Sequence, residues 1–491
     1  MKRIWDGIPL GVGVDEKPIT YNENAPFMIV GPPGSMKTVS IVVNQLLDDT
    51  SPRSYIIPDP KLEVAAVTAK FRRSLGHDVR VMNAYGLLVP QRPDLKSDGW
   101  NPIDDLQPGT PGYDDECAAK GDALIKTGAN ESQPIFPNSA RSAITGTINF
   151  EVRKARAEGR TASLANVLDI LTLETEKLIE VVQEMIAMGD PEITTRMRKF
   201  LSDNREIQSI KSNIQTDMAW MTQEMRTDMA VSNGVDFSAC KKRPTTIYVG
   251  VPTKELINKA SYSRLWLSSA LRALYSEGGV PVTLLVEEAF VLGHLTELEN
   301  ACSILRGYNG RLVTVWQSIA QARKHYPENW GLFMGGGMLA FRPGDMETAK
   351  FLVEKTGTHT VPVLSAADPS SRNESEMRPS WQQQKRERIP LAKMFGMPPG
   401  RALVWLPGDE APRVSRMEGY FDIKKLNARA SENPYFKARG KRRPRKLLKG
   451  VIAAGILAFA LARPDLARHV AVQAGSGMLA LLHHVERSVA R

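Results

Sequence analysis

Short apolar runs recur along residues 27–342, and each one ends in polar or glycine residues. Most of these runs are separated by segments long enough to form a helix. Nearly continuous apolar strands with this spacing are typical of a parallel sheet that helices cover on both faces. The pattern therefore predicts an α/β fold with strands at FMIVG (27–31), SYIIPD (54–59), VRVMN (79–83), TTIYVGVP (245–252), VTLLVEE (282–288), RLVTVWQS (311–318) and MLAFR (338–342).

The strand rhythm stops between about residues 105 and 240, where the spacing of apolar residues becomes helical. The segment 163–190 has this spacing, and a second series predicts one long helix whose methionines fill the core as adaptable side chains. We therefore expect an all-α insertion at 109–240, between a first part of the α/β domain at 1–108 and a second part at 241–436. The second helical series consists of Ile207, Ile210, Ile214, Met218, Met221, Met225 and Met229.

Basic charge is concentrated at the C-terminal end of the chain. The formal net charge is +10 over 491 residues, and KARGKRRPRKLLK at 437–449 holds eight Lys or Arg and no acid. The residues after 449 add two more positive charges, so the charges of residues 1–436 sum to zero. Attraction to nucleic acid or anionic lipid is therefore expected in this segment, unless the other charges are segregated into patches.

Twelve apolar residues, VIAAGILAFALA at 451–462, follow the basic run. Twelve helical residues reach about 18 Å, whereas the hydrocarbon layer of a membrane is about 30 Å thick. A shallow hairpin or an interfacial segment fits this length better than a single span. We expect residues 437–491 to form a basic and apolar tail that is a candidate membrane anchor. Contact with nucleic acid and packing on another subunit are the alternatives.

The motif GPPGSMKT follows the first apolar run and precedes a helical segment. It matches a phosphate-binding loop, in which backbone N–H groups surround the phosphates at the positive end of a helix. Lys37 is expected to reach the β- and γ-phosphates, and Thr38 to ligate Mg²⁺. Met36 departs from the pattern because it stands where the second glycine is usual. The predicted nucleotide-binding residues are Gly31, Pro32, Pro33, Gly34, Ser35, Met36, Lys37 and Thr38.

Two acids end the apolar run at 282–288, and triphosphate hydrolysis needs carboxylates near the metal and the attacking water. Glu287 is expected to support Mg²⁺ through its water shell, and Glu288 to orient or deprotonate the water. The alternative is an acidic helix start, since acids are favourable at helix N-termini. Gln317 ends another run and is expected either to sense the γ-phosphate or the water, or to make an ordinary hydrogen bond. Asp59, also at a strand end, is expected to begin a turn.

The order of these motifs resembles the coupling proteins of type IV secretion, the hexameric ATPases of conjugative DNA transfer. The similarity extends across most of residues 25–425. Its most specific part is VEEAFVLGHLTELENACSILRGYNGRLVTVWQSIAQARKHY at 286–326, which is similar to the family's acidic motif, its Arg-Gly-Tyr-Gly segment and its Gln-Ser-x-Ala-Gln motif. The segment beginning DPK at 59–61 and the stretch FRPGDMETAKFLVEKTGTHT at 341–360 are also similar to family sequences.

The resemblance implies a RecA-type P-loop NTPase domain with an inserted all-α domain, and a ring in which ATP and Mg²⁺ bind between subunits. An arginine from a neighbouring subunit then completes each site by stabilising charge in the transition state. Arg306 stands where the family carries such a residue, with Arg311 as the second choice. Glu287 departs from the family, which has Asp there. Most members begin with two transmembrane helices, and the phosphate loop at residue 31 leaves no room before it for them.

Together with the resemblance, the motifs predict a motor ATPase of the cytoplasm, at the inner face of the cell membrane. It would form a homo-hexamer and move single-stranded DNA, with an attached relaxase or effector protein, toward the components of a secretion channel. The expected catalytic residues are Glu288, Gln317 and Arg306, and the expected metal residues are Thr38 and Glu287. The alternatives are a double-stranded DNA pump of the packaging or partition kind and a cargo adaptor that binds nucleotide without hydrolysing it.

Overall fold

The structure, a computed structural model, describes residues 3–125, 135–202, 205–255, 258–365 and 380–435. The chain divides into two units, Met1–Glu432 and Asn433–Arg491, and the fold described below is that of the first unit. The predicted basic and apolar tail at 437–491 lies outside the described residues. Within the described ranges, no helix is both long enough and apolar enough to cross a membrane.

Eleven of the described strands form one mixed sheet, and the other two pair as a separate antiparallel ribbon. The strands are β1 (Ile8–Val12), β2 (Pro18–Tyr21), β3 (Phe27–Val30), β4 (Ser54–Pro58), β5 (Asp78–Met82), β6 (Thr245–Val249), β7 (Val282–Val286), β8 (Gly310–Trp316), β9 (Met338–Phe341), β10 (Thr358–Ser365), β11 (Ser380–Glu387), β12 (Arg401–Trp405) and β13 (Arg413–Arg416). Their order in the sheet is β2-β1-β13-β12-β9-β3-β8-β7-β4-β6-β5. The block from β9 to β5 is parallel throughout and consists of the strands that the sequence predicts.

Helices connect and cover the strands. The described α-helices are α1 (Val43–Asp48), α2 (Glu63–Ser74), α3 (Tyr113–Leu124), α4 (Ile135–Ala157), α5 (Leu164–Leu171), α6 (Thr175–Ala187), α7 (Pro191–Met197), α8 (Arg205–Asp217), α9 (Gln223–Met229), α10 (Ala239–Lys242), α11 (Ala260–Leu274), α12 (Thr296–Ile304), α13 (Ile319–His325), α14 (Met346–Thr356), α15 (Leu391–Phe395) and α16 (Lys424–Asn427). A π-helical turn, Thr38–Val42, leads into α1. Short 3₁₀ helices lie at Pro93–Leu95, Arg198–Leu201, Thr253–Glu255, Ala289–Leu292, Leu305–Tyr308, Trp330–Met334 and Tyr420–Asp422. The described part of residues 109–240 contains helices and no strand.

Side chains of the parallel strands alternate between two core layers, one on each face of the sheet. In β3, Phe27 and Ile29 pack into the layer that includes residues of α1 and α2. Met28 and Val30 pack into the other layer, which includes residues of α3 to α9 and α11. All four side chains are at most 1% exposed. Both faces of the sheet are therefore covered, as expected for strands without polar alternation.

The prediction of one long helix over the methionine series is wrong, because α8 ends at Asp217 and α9 begins at Gln223. In a continuous helix Trp220 would lie about 200° around the axis from Met218, on the side away from the core. The turn instead leaves Trp220 only 2% exposed, with its ring 5.4 Å from the ring of Tyr262. All residues of the series are at most 6% exposed, which confirms that they are core residues.

Four antiparallel strands, β1, β2, β12 and β13, extend the sheet beyond β9 and are absent from the sequence prediction. β2 and β13 have four residues each and leave some of their side chains exposed, so neither forms an apolar run. β1 is irregular at Gly11, which has φ +85. A Cβ at that position would overlap the side chain of Ser415 on β13. Short and irregular strands of this kind give little periodic signal.

Candidate nucleotide-binding site

The phosphate loop follows β3 and ends where the helix at Thr38 begins. Gly31 N donates to Trp316 O at 3.0 Å, which fixes the start of the loop to β8. Gly31 has no space for a side chain, because an added Cβ would lie 2.8 Å from Ser35 Oγ and 3.0 Å from the Phe341 side chain. Gly34 has φ +78, in the left-handed region that favours glycine. The turn therefore needs both glycines of the GPPG segment.

Met36 also has a left-handed backbone, with φ +70, which explains why a glycine is usual at this position. A non-glycine residue in that conformation costs about 1–2 kcal/mol. The Met36 side chain is half-buried and packs against the core layer that contains α1. Its backbone oxygen accepts hydrogen bonds from Ser40 N at 2.9 Å and Ser40 Oγ at 2.7 Å. The loop thus accommodates methionine through backbone strain that packing offsets.

The Lys37 ammonium folds back onto its own loop. Its Nζ donates to the carbonyl oxygens of Gly31 and Pro32, at 2.6 and 3.0 Å. Burial lowers the pKa of Lys37, and the carboxylates of Glu288 and Glu287 oppose that shift. The lysine is therefore close to two acids that are about 250 positions away in the sequence.

The Thr38 hydroxyl donates to Glu287 Oε1 at 3.2 Å, which joins the start of the helix to the end of β7. Burial, followed by the nearby carboxylate of Asp59, raises the pKa of Glu287 to about 8. Hydroxyl and carboxylate oxygens suit Mg²⁺, which usually takes its remaining ligands from water and phosphate. These donors fit the metal, although no group of three or more His, Cys, Asp or Glu in the described residues could hold an ion alone.

Glu288 and Gln317 form a second pair in the site. Gln317 Nε2 donates to Glu288 Oε2 at 2.7 Å, and Gln317 N donates to Gln321 Oε1 at 3.1 Å. Glu288 has φ +53, and non-glycine residues in this conformation cluster at functional sites. A 3₁₀ helix does follow Glu288, as the alternative interpretation expects, but the Glu288 side chain makes no capping hydrogen bond. Its carboxylate is instead oriented by the glutamine.

Asp59 begins a turn, as expected, because Leu62 N donates to Asp59 O at 2.9 Å. The Asp59 carboxylate is buried and accepts a hydrogen bond from Ala65 N at 2.8 Å. Burial raises the pKa of Asp59 to about 7. Sequence reasoning missed the proximity of this carboxylate to Glu287. The parallel neighbours β4 and β7 end just before Asp59 and Glu287, so both carboxylates lie at the same end of the sheet. The position of Asp59 at a strand end was the available signal.

A family model described as "Type IV secretory system Conjugative DNA transfer" matches residues 7–442 of the chain. The chain belongs to this family. One relative is the type IV secretion system-coupling protein VirD4 of Bartonella quintana (strain Toulouse), which is 22% identical over 420 residues, or 82% of this chain and 64% of that protein. The VirD4 coupling protein of Bartonella henselae is 21% identical over 347 residues, or 68% and 53% of the two chains. The chain thus spans less than two thirds of the length of these relatives.

Solved structures of the bacterial conjugative coupling protein TrwB have the same fold as this family member. The unbound monoclinic form has a TM-score of 0.60 at 15% identity and covers 83% of this chain and 88% of that chain. The complex of TrwB with ADP and Mg²⁺ has a TM-score of 0.59 at 14% identity and covers 83% and 89%. This likeness confirms the predicted α/β RecA-type fold with an all-α domain.

The two arginines that the family resemblance singled out lie near the amino end of β8. Arg306 is exposed in the 3₁₀ helix before the strand. Arg311 is 0% exposed, and its Nε donates to Glu23 O at 2.5 Å. Gln317 follows the carboxyl end of the strand, where Glu287 and Glu288 also lie after the parallel strand β7. Arg306 therefore lies at the opposite end of the parallel strands from these residues. Arg311 is therefore buried inside its own chain, whereas Arg306 is open to a neighbouring molecule.

A cavity of about 180 Å³ opens beside the phosphate loop of this family member. Its other walls are Phe341 and Arg342, at the end of β9, and the turn 398–401 that ends at Arg401. Sequence reasoning gave these residues no role: Arg401 lies in no motif, and Phe341 and Arg342 lie in the family-like stretch at 341–360, for which it assigned no site residues. Two guanidinium groups beside a phosphate loop are suited to bind further nucleotide oxygens. A larger cavity, of about 540 Å³, shares no residue with the site.

Proposed function

We propose that this protein is an ATP-driven motor of a type IV secretion or conjugation system, which recruits single-stranded DNA with an attached protein and moves it to the secretion channel. One observation supports the proposal above all. Lys37 and Thr38 lie beside Glu287 and Glu288 in a chain of the conjugative DNA transfer family. The complexes of TrwB with ADP and Mg²⁺ and with a non-hydrolysable ATP analogue support ATP and Mg²⁺ as the ligands.

Each residue would act through a contact or a charge of the site. Lys37 would leave the carbonyl oxygens of its own loop and bind the β- and γ-phosphates, whose negative charge its ammonium offsets. Thr38 and Glu287 would hold Mg²⁺, directly and through water, and the bound ion would supply positive charge to the transferring phosphoryl group. Glu288 would orient the attacking water and accept its proton, while Gln317 fixes the carboxylate through the 2.7 Å hydrogen bond.

Arg306 would complete the site of the adjacent subunit in a homo-hexameric ring. The seven residues of β8 span about 23 Å, so Arg306 does not reach Glu288 of its own chain. An exposed guanidinium at a subunit boundary can stabilise transition-state charge in the next site. The proposed partners of the ring are a relaxase or effector protein, the channel components and the inner face of the cell membrane, which residues 437–491 would contact.

Phosphate release from ATP tests the motor. Lys37→Ala and Glu288→Gln are each expected to lower DNA-stimulated turnover at least about 100-fold. Lys37→Ala removes the ammonium that offsets the phosphate charge, and Glu288→Gln removes the general base. Lys70→Ala and Glu277→Gln are matched controls, since they change the same residue types at exposed positions. Both controls should keep wild-type turnover.

Two outcomes would reject the proposal. If the protein binds ATP but neither Lys37→Ala nor Glu288→Gln changes phosphate release, the cargo adaptor is the better description. Stimulation of turnover by duplex DNA in preference to a single strand of the same sequence would instead identify a double-stranded DNA pump. Greater stimulation by the single strand is the expected result.

A further inference from the structure

Six exposed basic residues surround the ribbon formed by β10 and β11. α14 contacts both α15 and β11, so the two helices and the ribbon form one continuous surface, which we call the ribbon surface. In the described part of the chain, none of its six cations has a carboxylate within 4.0 Å, the limit for an ion pair. The six residues are Lys350, Lys355, Lys385, Arg386, Arg388 and Lys393.

The charge of the ribbon surface is unusual for this chain. Residues 350–395 contain eight Lys or Arg and five Asp or Glu, a formal charge of +3, and in the described part of this range the counts are six and two. Residues 1–436 as a whole sum to zero. Elsewhere in the body, exposed arginines commonly pair with acids, as Arg413 does with Asp409 at 2.7 Å. Unpaired positive charge is therefore segregated into this surface.

The ribbon displays cations on both of its faces. Its strands pair without interruption from Thr358 opposite Glu387 to Ser365 opposite Ser380, which corresponds to a length of about 26 Å. His359 lies opposite Arg386 on one face, and the adjacent pair, which includes Lys385, lies on the other. The described side chains of the ribbon are exposed or half-buried. A two-stranded ribbon that packs so little of its surface is only marginally stable alone, so a partner that covers it would stabilise it.

The described side chains favour a phosphate backbone over a lipid surface. Membrane-surface elements bury a continuous face of large apolar side chains. Among the ribbon residues whose exposure the structure describes, the apolar ones are Val361, Pro362 and Val363, set among threonines, glutamines and cations. Two larger apolar residues, Leu364 and Trp381, form a single pair near one end of the ribbon and do not extend along it. Proteins that bind single strands without sequence preference use a positively charged track for the phosphates, together with aromatic side chains on which bases stack. We propose that the ribbon surface binds the phosphates of single-stranded DNA, an inference that rests on the proposed function of the chain as a DNA motor.

Salt dependence of DNA binding tests this proposal. The full chain and a variant with Lys385→Ala, Arg386→Ala and Arg388→Ala are titrated with a fluorescein-labelled oligothymidylate of about 30 nucleotides between about 50 and 200 mM salt. The binding constant K falls as salt rises, so log K against log salt has a negative slope. Loss of three phosphate contacts should make this slope less negative by about 2 and weaken binding more than tenfold at the lowest salt. Anisotropy measures both quantities.

The control variant carries Lys70→Ala, Lys96→Ala and Arg198→Ala, which remove three exposed basic residues from other surfaces. It has the same net charge as the ribbon variant and should keep the wild-type slope. Equal slopes for the two variants would overturn the proposal, because the affinity would then come from overall charge or from another segment. A ribbon variant that keeps DNA binding but loses binding to phosphatidylcholine vesicles containing phosphatidylserine would overturn it in favour of lipid.

Phosphate release without DNA, measured on the same samples, separates this proposal from the proposed function. If wild-type protein releases no phosphate either without DNA or with it, the motor itself is rejected. If turnover is normal in all three proteins and the DNA slopes are unchanged, only the ribbon surface is rejected. Normal basal turnover with a smaller slope in the ribbon variant alone is the supporting result.

Discussion

Glu287 should make the binding of Mg²⁺ with nucleotide dependent on pH. Burial and the neighbouring Asp59 raise its pKa from 4.5 to about 8. At pH 7 only about one molecule in ten then carries the ionised carboxylate that a metal site needs, so binding is expected to release nearly one proton. Below pH 8 the apparent affinity should increase about tenfold, or about 1.4 kcal/mol, for each unit of pH.

Isothermal titration calorimetry of ADP and Mg²⁺ binding, in two buffers that differ in ionisation enthalpy, measures the released protons. Glu287→Gln keeps the size of the side chain but has no proton to release, so its binding should be weaker and nearly independent of pH. Glu277→Gln, at an exposed position, is the control and should release protons as the wild type does. Equal proton release by the wild type and Glu287→Gln would refute the assignment of this carboxyl group.

The stability of the ligand-free protein should show the opposite dependence on pH. The folded protein keeps a proton on Glu287 up to pH about 8, whereas the unfolded chain loses it near pH 4.5. The free energy of unfolding therefore decreases as the pH rises from 4.5 to 8. At about 1.4 kcal/mol per unit, the full loss is about 5 kcal/mol. Thermal denaturation from pH 5 to pH 8 measures this loss. Glu287→Gln should reduce the slope and abolish it above pH 7, while the part that Asp59 contributes below its raised pKa of about 7 remains.

Substitutions at four further residues test other parts of the structure. Met36→Gly should change the free energy of unfolding by less than about 1 kcal/mol, because relief of backbone strain offsets the lost packing. Met36→Ala loses the packing but keeps the strain, so it should lower the free energy of unfolding by about 1 kcal/mol or more. Chemical denaturation measures both changes. Gln317→Ala should lower kcat about 10- to 100-fold with little change in KM, since Glu288 loses its charged hydrogen bond; an equal rise in KM would contradict this. Arg311→Met should lower the free energy of unfolding by at least about 2 kcal/mol in thermal melts, because Arg311 is buried. Arg306→Ala should change the free energy of unfolding by less than about 0.5 kcal/mol, yet it should lower ATP turnover by the assembled ring.

The parallel strands could be predicted because each is buried on both faces and therefore appears as an unbroken apolar run. Most of the antiparallel extension could not, since strands such as Arg413–Arg416 are short and exposed, and Gly11 interrupts the pairing of the first strand. The exception is Arg401–Trp405, whose four buried apolar residues formed a signal that the prediction missed. The break between α8 and α9 escaped prediction for a different reason. The stripe of methionines is compatible with one helix, and only the burial of Trp220 against Tyr262 favours a turn.

The local motifs of the site were predictable, because the phosphate loop and the acids after β7 each have a characteristic pattern in one stretch of sequence. A shared metal ion also predicted that Thr38 and Glu287 would meet, but two other contacts between distant residues were not predictable. The proximity of Asp59 to Glu287 follows from the pairing of β4 with β7, which the order of strands in the sequence does not reveal. The role of Gln317 as the partner of Glu288 depends on the same kind of juxtaposition, between β8 and β7.

Strand β8 has a mechanical consequence for a ring of these chains. Its residues are all buried, and it pairs with β7 along its first part and with β3 along its last part, so the strand is held firmly inside the sheet. In the proposed ring, Arg306, just before the strand, would face the next molecule, and Gln317, just after it, would hold the proposed general base Glu288. A displacement at one end of such a strand would move the other end as well, so ATP hydrolysis in neighbouring subunits could be coupled through β8 without a separate connecting element.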